Sequence, residues 1–382
     1  MHQLSVWEKE SFFAPQDVII VGSGFCGLWS ALHLKTLNPH YNVTILERGI
    51  IPTGASTRNA GFSCFGSPSE LINDARLMGE DEMWKLVVMR YQGLQEIRKF
   101  FSDEEIDYDG SGGYESFTIQ SEDWNECKEK LEWLNSGLKK ITGVDNVFRI
   151  VDEKIAEFGF SGFEHLVENK LEGGLHPGKL VKCLLKKVQA MGVQVMTGIE
   201  VLNFYSMKNR VYLSTNHQIE FITNNLLLCT NAFTEVLVPG IDITPNRGQV
   251  LITSPIENLK FKGTFHFDKG FYYFRNLNNR LLIGGARNKS LGEENTSEMK
   301  TTDLIQHELE EFIHQYLLPV GTSYTITDRW TGIMGMGNCK APIVSAISNN
   351  VYCCVRMSGM GVALAPIVAC QAVQLINKSI IV

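Results

Sequence analysis

DVIIVGSGFCGLWSALHLKTLNPHYNVTILERG, Asp17 to Gly49, is the stretch from which the rest of this chain is read. Asp17 to Val21 is a short β-branched run suited to a buried parallel strand. Gly22 then permits a tight turn, Gly24 lets the backbone approach a pyrophosphate, and Gly27 lets the following helix pack on the strand. Leu28 to Leu37 carries apolar residues at helical spacing, and Asn38-Pro39 ends it. A second strand, Asn42 to Leu46, delivers Glu47 twenty residues past Gly27, where a ribose-binding carboxylate is needed. Strand, glycines, helix, strand and acid in this order read as a dinucleotide cradle, against the alternative of a merely structural turn. Ser23 and Cys26 fall inside the cradle, and Arg48 follows the acid. The glycines do not separate NAD from FAD, because both present the same adenosine diphosphate. Glu47 disfavours NADP, since a carboxylate repels a 2′-phosphate.

The remainder of the chain bounds the partners. At 382 residues it is long enough for a nucleotide-type domain with a second lobe built around it. A net charge of −7 without a Lys/Arg tract argues against nucleic acid or an anionic membrane, and favours small neutral or cationic ligands. Nine cysteines, scattered without C-x-x-C spacing, read as free thiols in a reducing cytoplasm. The segment MHQLSVWEKESFFAPQ carries acids and lacks an apolar core, so no export signal is expected. The late apolar run GVALAPIVACQAVQLI is interrupted by Pro366 and Gln371 and reads as a buried helix rather than a membrane span. The histidines are dispersed, so no metal site is expected. GGLHPGKL, Gly173 to Leu180, imitates a P-loop but puts Leu180 where a magnesium-binding hydroxyl is required; it reads as a helix entry.

After Glu47 comes RGIIPTGASTRNAGFSCFG, a loop dense in small and hydroxyl residues. With Ser5 and Trp7, GGLHPGKL, RGQV, YYFR followed by RLLIGGAR, RWTGI and RMSGMGVALAP, it resembles the D-amino-acid oxidase-like (DAO) family of FAD-dependent oxidoreductases, in particular its gamma-glutamylputrescine oxidase, glycine oxidase and sarcosine oxidase relatives. The resemblance implies an α/β fold, with a Rossmann-like FAD-binding domain of the glutathione-reductase type interleaved with an α+β substrate domain. Residues 16–75, 150–235 and 325–382 are expected in the first, and 76–149 and 236–324 in the second. It implies that Ala55, Ser56, Thr57, Arg58, Asn59 and Gly61 wrap the pyrophosphate and reach the flavin, with Val201 at the adenine. Thr230, Asn231, Gly332, Arg356, Ser358, Gly359, Met360 and Gly361 are the further cofactor positions. The implied activity is oxidation of a C–N bond in a small amine or amino acid, with hydride passing to flavin N5 and O2 or another acceptor reoxidising the ring. A NAD-dependent dehydrogenase and a flavin-binding protein without turnover of its own are the alternatives. Relatives that bind flavin covalently use a His where Asn59 aligns or a Cys near Gly332, so dissociable FAD is expected, with Cys339 the nearest thiol.

A helix beginning at Gly359 and Gly361 offers unpaired N–H groups and partial positive charge to the edge of a reduced flavin. Helical patterns stack Leu86, Arg90, Leu94 and Ile97 within Met83 to Phe101, and Trp124, Cys127, Leu131, Leu134 and Leu138 in a second segment. Phe271 to Arg275 and Arg280 to Gly284 flank Asn278-Asn279 as a hairpin that would roof a ligand site. Phe62, Met334, Met336, Met357 and Met360 form an apolar wall, and Tyr272 and Tyr273 add a hydroxyl or aromatic face, one of the two pointing to the sheet's other side. Glycine oxidase-like proteins carry a carboxylate-binding Arg where this chain has Met334. A simple α-amino acid therefore loses support unless Arg247, Arg275, Arg287, Arg329 or Arg356 substitutes.

Overall fold

The computed structural model describes residues 3–380. Its packing divides the chain into two interleaved units. The first comprises the chain up to Thr57, Gly178–Pro245 and the chain from Met334 onward; the second comprises Arg58–Pro177 and Asn246–Ile333.

The first unit is built on a sheet in which five successive strands run parallel: Val351–Val355, Glu220–Leu228, Gln16–Val21, Val43–Glu47 and, at one edge, Gln194–Thr197. Val18, Ile19 and Ile20 are fully buried, as strands covered on both faces require. The register aligns Val21 with Leu46 on one side and with Leu228 on the other. Gly22, Glu47 and Cys229 therefore leave the sheet along one carboxyl edge, where α/β sheets bind nucleotides. The helix Phe25–Leu37 starts three residues before the expected apolar run from Leu28, with Gly24 as its N-cap. This helix is apolar nearly all round and almost wholly buried. It packs against the helix Gly361–Ile380, where the His33 ring Nε2 hydrogen bonds the Pro366 carbonyl at 2.9 Å. Gly361–Lys378 is long and apolar enough to cross a membrane, but 56% of it is buried inside the protein, as in a core helix.

The second unit holds an eight-stranded sheet in the order Ile326–Met336, Thr244–Thr253, Arg280–Gly285, Tyr272–Leu277, Thr264–Phe267, Gly113–Phe117, His165–Asn169 and Phe148–Ile150. Asn278 and Asn279 turn its central hairpin with φ of 55° and 59°, left-handed values that asparagine tolerates better than most residues. One face buries an aromatic core of Phe160, Phe261, Phe265, Phe274 and Phe312; Phe265 and Phe274 stack at 4.8 Å. Aromatic pairs of this kind add about 0.5–1.5 kcal/mol each beyond their area. The helices Glu80–Phe100 and Trp124–Thr142 bury Leu86, Arg90, Leu94 and Ile97, and Cys127, Leu134 and Leu138, while Trp124 and Leu131 are half-buried.

The packing units do not share the bounds expected from the family resemblance. Residues 58–75, 150–177 and 325–333 pack in the second unit, and 236–245 in the first. Backbone pairing draws the line: Phe62–Ser63 pairs with Gly173–Gly174, and Phe148–Ile150 and His165–Asn169 extend the second sheet.

Candidate functional site

In the first unit the glycines of the turn after the first strand leave little room for side chains. Gly22 has φ +104°, and a Cβ there would lie 2.8 Å from the Cys229 carbonyl oxygen. A Cβ on Gly27 would lie 1.9 Å from the Gly22 carbonyl oxygen, so the turn sits directly against the first turn of the helix. Gly24 caps the helix without a side chain, and its missing Cβ would meet the Ser56 hydroxyl at 2.9 Å. That hydroxyl accepts the Phe25 N–H at 2.8 Å, one of the donors a helix N-terminus leaves open. Cys26 is buried in the same helical turn. Glu47, 8% exposed, accepts the Ser23 N–H at 3.0 Å and the Ser23 hydroxyl at 2.7 Å on one oxygen, and the Gly49 N–H at 2.8 Å on the other. Ala55, Ser56 and Thr57 form a short 3₁₀ turn held by the Thr57 hydroxyl on the Pro52 carbonyl at 2.6 Å. Arg48 is exposed and lays its guanidinium 4.0 Å from the Phe233 ring centre, and Val201 starts a strand at 7% exposure.

The other cofactor positions of this unit form one loop system. Arg356, Ser358 and Gly359 take left-handed φ values of 62°, 47° and 83° just before the Gly361–Ile380 helix. The Asn231 side-chain oxygen accepts the N–H groups of Arg356 and Met357 at 3.1 and 3.4 Å, and Thr230 shares a hydroxyl contact with Thr234 at 2.9 Å. The Met334 sulfur lies 3.5 Å from where a Gly359 Cβ would be, and Met360 closes the turn by donating its N–H to the Met357 carbonyl at 2.8 Å. Ser358 is 8% exposed, and its hydroxyl has no partner among the described residues. An orphaned hydroxyl beside a helix N-terminus, and a glycine cradle that any Cβ would fill, fit a dinucleotide cofactor. Arg356 itself is committed: it pairs with the Asp242 carboxylate, donates to the Ala341 carbonyl at 2.9 Å and reaches the Cys339 sulfur at 3.2 Å.

The second unit positions a different set. Arg58 donates to the Thr331 carbonyl at 3.0 Å and receives the Trp330 indole N–H on its own carbonyl at 2.9 Å; Gly332 faces it with no Cβ. The Gly61 N–H bonds the Asn59 side-chain oxygen at 2.9 Å. Arg275 reaches the Gly61 and Leu175 carbonyls at 3.0 and 2.9 Å, and a Cβ on Gly174 would collide with its guanidinium. Those are the roles of the glycines in the apparent P-loop: close backbone approach, followed by a helix from Pro177 whose Leu180 is fully buried. Phe62 packs edge-on against His266 at 5.0 Å and Tyr273 at 5.9 Å. Strand register brings His266 and Gly284 opposite Tyr273, whose ring lies over Gly284. Burial pushes His266 down to about 4 and Tyr273 up to about 12, so both are neutral at neutral pH. His266 was not foreseen; its signal was the alternation that puts it in the row of Tyr273.

Two expected pocket residues face the opposite side of this sheet. Tyr272 stacks on Phe312 at 4.7 Å and points its hydroxyl at Glu308. Arg247 is buried in an ion pair with Glu294 at 2.7 Å, beside Gln249. Both follow from the two-residue period of strands. No group of side chains that could hold a metal ion occurs among the described residues.

The family model of the FAD-dependent oxidoreductases called DAO matches residues 17–375. The chain belongs to this family. Its dinucleotide is therefore FAD and its class oxidoreductase. It is 24% identical over 379 residues to the probable oxidoreductase OrdL of Haemophilus influenzae, covering 91% of this chain and 80% of that one. To the gamma-glutamylputrescine oxidoreductase of Escherichia coli it is 24% identical over 360 residues, with the same coverage of 91% and 80%. Among solved structures it is similar to L-proline dehydrogenase from P. horikoshii, with a TM-score of 0.76, 18% identity, and 95% and 94% of the two chains covered. Glycine oxidase from Bacillus cereus gives a TM-score of 0.73, 18% identity and 95% coverage of each chain. At those identities the structural likeness establishes the fold: an α/β architecture with a Rossmann-like FAD domain.

Proposed function

We propose that this protein oxidises a C–N bond of a small amine or amino acid. FAD, when bound, supplies the acceptor for the hydride leaving the carbon that bears nitrogen, at ring position N5, and passes the electrons to O2 or another acceptor. The reading is carried by the glycine turn, in which Gly22, Gly24 and Gly27 admit no Cβ and Glu47 is held beside Ser23. Glu47 is assigned to the ribose, and the N-terminus of the helix Phe25–Leu37 with Ser23 and Ser56 to the pyrophosphate. Ser358 and the N–H groups that open the Gly361–Ile380 helix are assigned to the side of the flavin that gains negative charge on reduction.

The substrate half is supported by the relatives' names, gamma-glutamylputrescine oxidoreductase, L-proline dehydrogenase and glycine oxidase, all of which point to nitrogen compounds. It is also supported by the neutral face of Phe62, His266 and Tyr273, which binds an uncharged amine without a desolvated counter-charge. An amine must be unprotonated to release hydride, and such a wall favours that form.

The test is the visible spectrum of the purified protein, followed by anaerobic mixing with amines, N-methyl amino acids and D-amino acids. Bleaching of the flavin bands by one class supports the proposal. Flavin that dithionite bleaches and no nitrogen compound does would leave a flavin-binding protein without turnover of this kind. Met334 in place of the arginine, and the commitment of Arg356 to Asp242, favour that second reading. A colourless protein that takes up no FAD would end both.

A further inference from the structure

The loop that opens the Gly361–Ile380 helix is held in a costly conformation. Arg356, Ser358 and Gly359 are all left-handed, and Arg356 and Ser358 carry a Cβ that disfavours such backbone. Within the loop the Met360 N–H closes the turn on the Met357 carbonyl at 2.8 Å, and the rest of the anchorage comes from elsewhere in the chain.

Asn231 is the first anchor. It follows the strand Glu220–Leu228 with φ of 45°, a value that asparagine tolerates better than most residues. Its side-chain oxygen accepts two successive loop donors, the Arg356 N–H at 3.1 Å and the Met357 N–H at 3.4 Å. Gly335 leaves room for it, since a Cβ there would lie 2.8 Å from the same oxygen. The Gly335 carbonyl in turn accepts the Ser358 N–H at 3.2 Å. The second anchor is Asp242. Arg356, 6% exposed, pairs with its carboxylate and donates to the Asp242 and Ala341 carbonyls at 3.1 and 2.9 Å. A Cβ on Gly337 would lie 2.7 Å from the Arg356 Cδ, so this crossing too needs glycine.

What the anchors leave unspent are the buried Ser358 hydroxyl, without a partner among the described residues, and the N–H groups that begin the helix. Those are the groups assigned to the flavin edge that gains negative charge on reduction. Donors fixed before that charge forms need no reorganisation when it does. Asn231 spends its oxygen on backbone and Arg356 its guanidinium on Asp242, so each acts on the cofactor through Ser358 rather than by touching it.

We propose that Asn231 and the Asp242–Arg356 pair are positioning residues, which hold the strained loop of residues 356–359 so that Ser358 and the helix N-terminus favour the reduced flavin. This rests on the assignment of that loop to the flavin and on no particular substrate.

The midpoint potential of the flavin in FAD-loaded, desalted protein, measured by dye equilibration during anaerobic reduction with dithionite, tests it. Asn231→Gly keeps the left-handed backbone, changes no charge and removes the acceptor. It is expected to lower the potential by about 30 mV, a ten-fold loss of preference for the reduced form at two electrons. Asp242→Ala separates positioning from field. Removing a carboxylate makes the surroundings more positive and by itself raises the potential, whereas loss of anchorage lowers it; the expected shift is downward. Asn231→Gly combined with Ser358→Ala should be non-additive, because the first acts through the second. Val211→Ala, a cavity in the buried core of the same unit, should lower the melting temperature and leave the potential unchanged. A parental potential in Asn231→Gly, or a rise in Asp242→Ala, overturns the proposal, as does a folded parent that takes up no FAD. Asp242 is 41% exposed, so its variant decides the matter alone if Asn231→Gly fails to fold or to load. Bleaching by nitrogen compounds is scored separately. Potentials that shift as expected in a protein no amine reduces sink only the oxidation, and amine turnover with unshifted potentials sinks only the positioning role.

Discussion

Replacing Gly27 by Ala puts a methyl group 1.9 Å from the Gly22 carbonyl oxygen, against a closest ordinary approach of 3.0 Å. Both atoms belong to backbone: one to the first turn of a buried helix, the other to a turn whose own φ is +104°. No side chain can swing aside, so helix and turn must part by about an ångström. Overpacking of this kind costs about 1–3 kcal/mol, and in a protein of this size lowers the melting temperature by a few degrees. The cofactor should feel it more. Moving helix N–H groups by an ångström takes them out of hydrogen-bond range of a phosphate, and each charge-assisted bond lost is worth about 1.5–3 kcal/mol, roughly ten-fold or more in affinity. Gly54→Ala is the internal control, because a Cβ there meets nothing within 4 Å. The assay is the flavin-to-protein absorbance ratio after desalting, with melting curves in the presence and absence of excess FAD. Gly27→Ala should come off colourless or nearly so and gain little stability from FAD; Gly54→Ala should match the parent. A Gly27→Ala protein with parental flavin content and melting temperature would refute the claim that the close helix–turn contact builds the cradle.

Three further outcomes are expected. Glu172 is buried against the Phe65 and Gly66 N–H groups, and burial raises its pKa from 4.5 to about 8. Because the folded value is the higher one, its contribution to stability is complete below pH 4.5 and is lost as pH rises through about 8, at up to about 1.4 kcal/mol per pH unit; Glu172→Gln should flatten urea midpoints between pH 5 and pH 8, and parallel profiles would contradict this. Arg356→Met leaves Asp242, 41% exposed, without its partner and should cost about 1–2 kcal/mol in urea unfolding, with a non-additive double-mutant cycle against Asp242→Asn; additivity would mean the pair contributes nothing. With Asn59 and Gly332 at the positions expected for covalent attachment, acid precipitation should leave a yellow supernatant, and colour retained in the pellet would direct attention to Cys339.

The sequence by itself determined the cradle, because every part of it is local. Strand, glycine turn, helix and second strand lie within Asp17 to Gly49, and the residue types are dictated by backbone conformation and close approach rather than by distant partners. It determined the Asn278-Asn279 hairpin for the same reason. It also marked Met334 as a departure that disfavours a simple α-amino acid unless another arginine substitutes, and offered five arginines of one chemical type. Only the tertiary structure separated them, because whether a guanidinium is available depends on which carboxylate the fold brings to it. Glu294 is 47 residues from Arg247 and Asp242 is 114 from Arg356, spacings that no local pattern encodes. The facing of Tyr272 and Tyr273 was likewise reducible to one of two by strand alternation, and the sheet's register chose which. Unit boundaries were the least legible. They follow the partners that strands take across the chain, and Phe62–Ser63 finds Gly173–Gly174 more than a hundred residues away. Periodicity announces a strand but carries nothing about its neighbour.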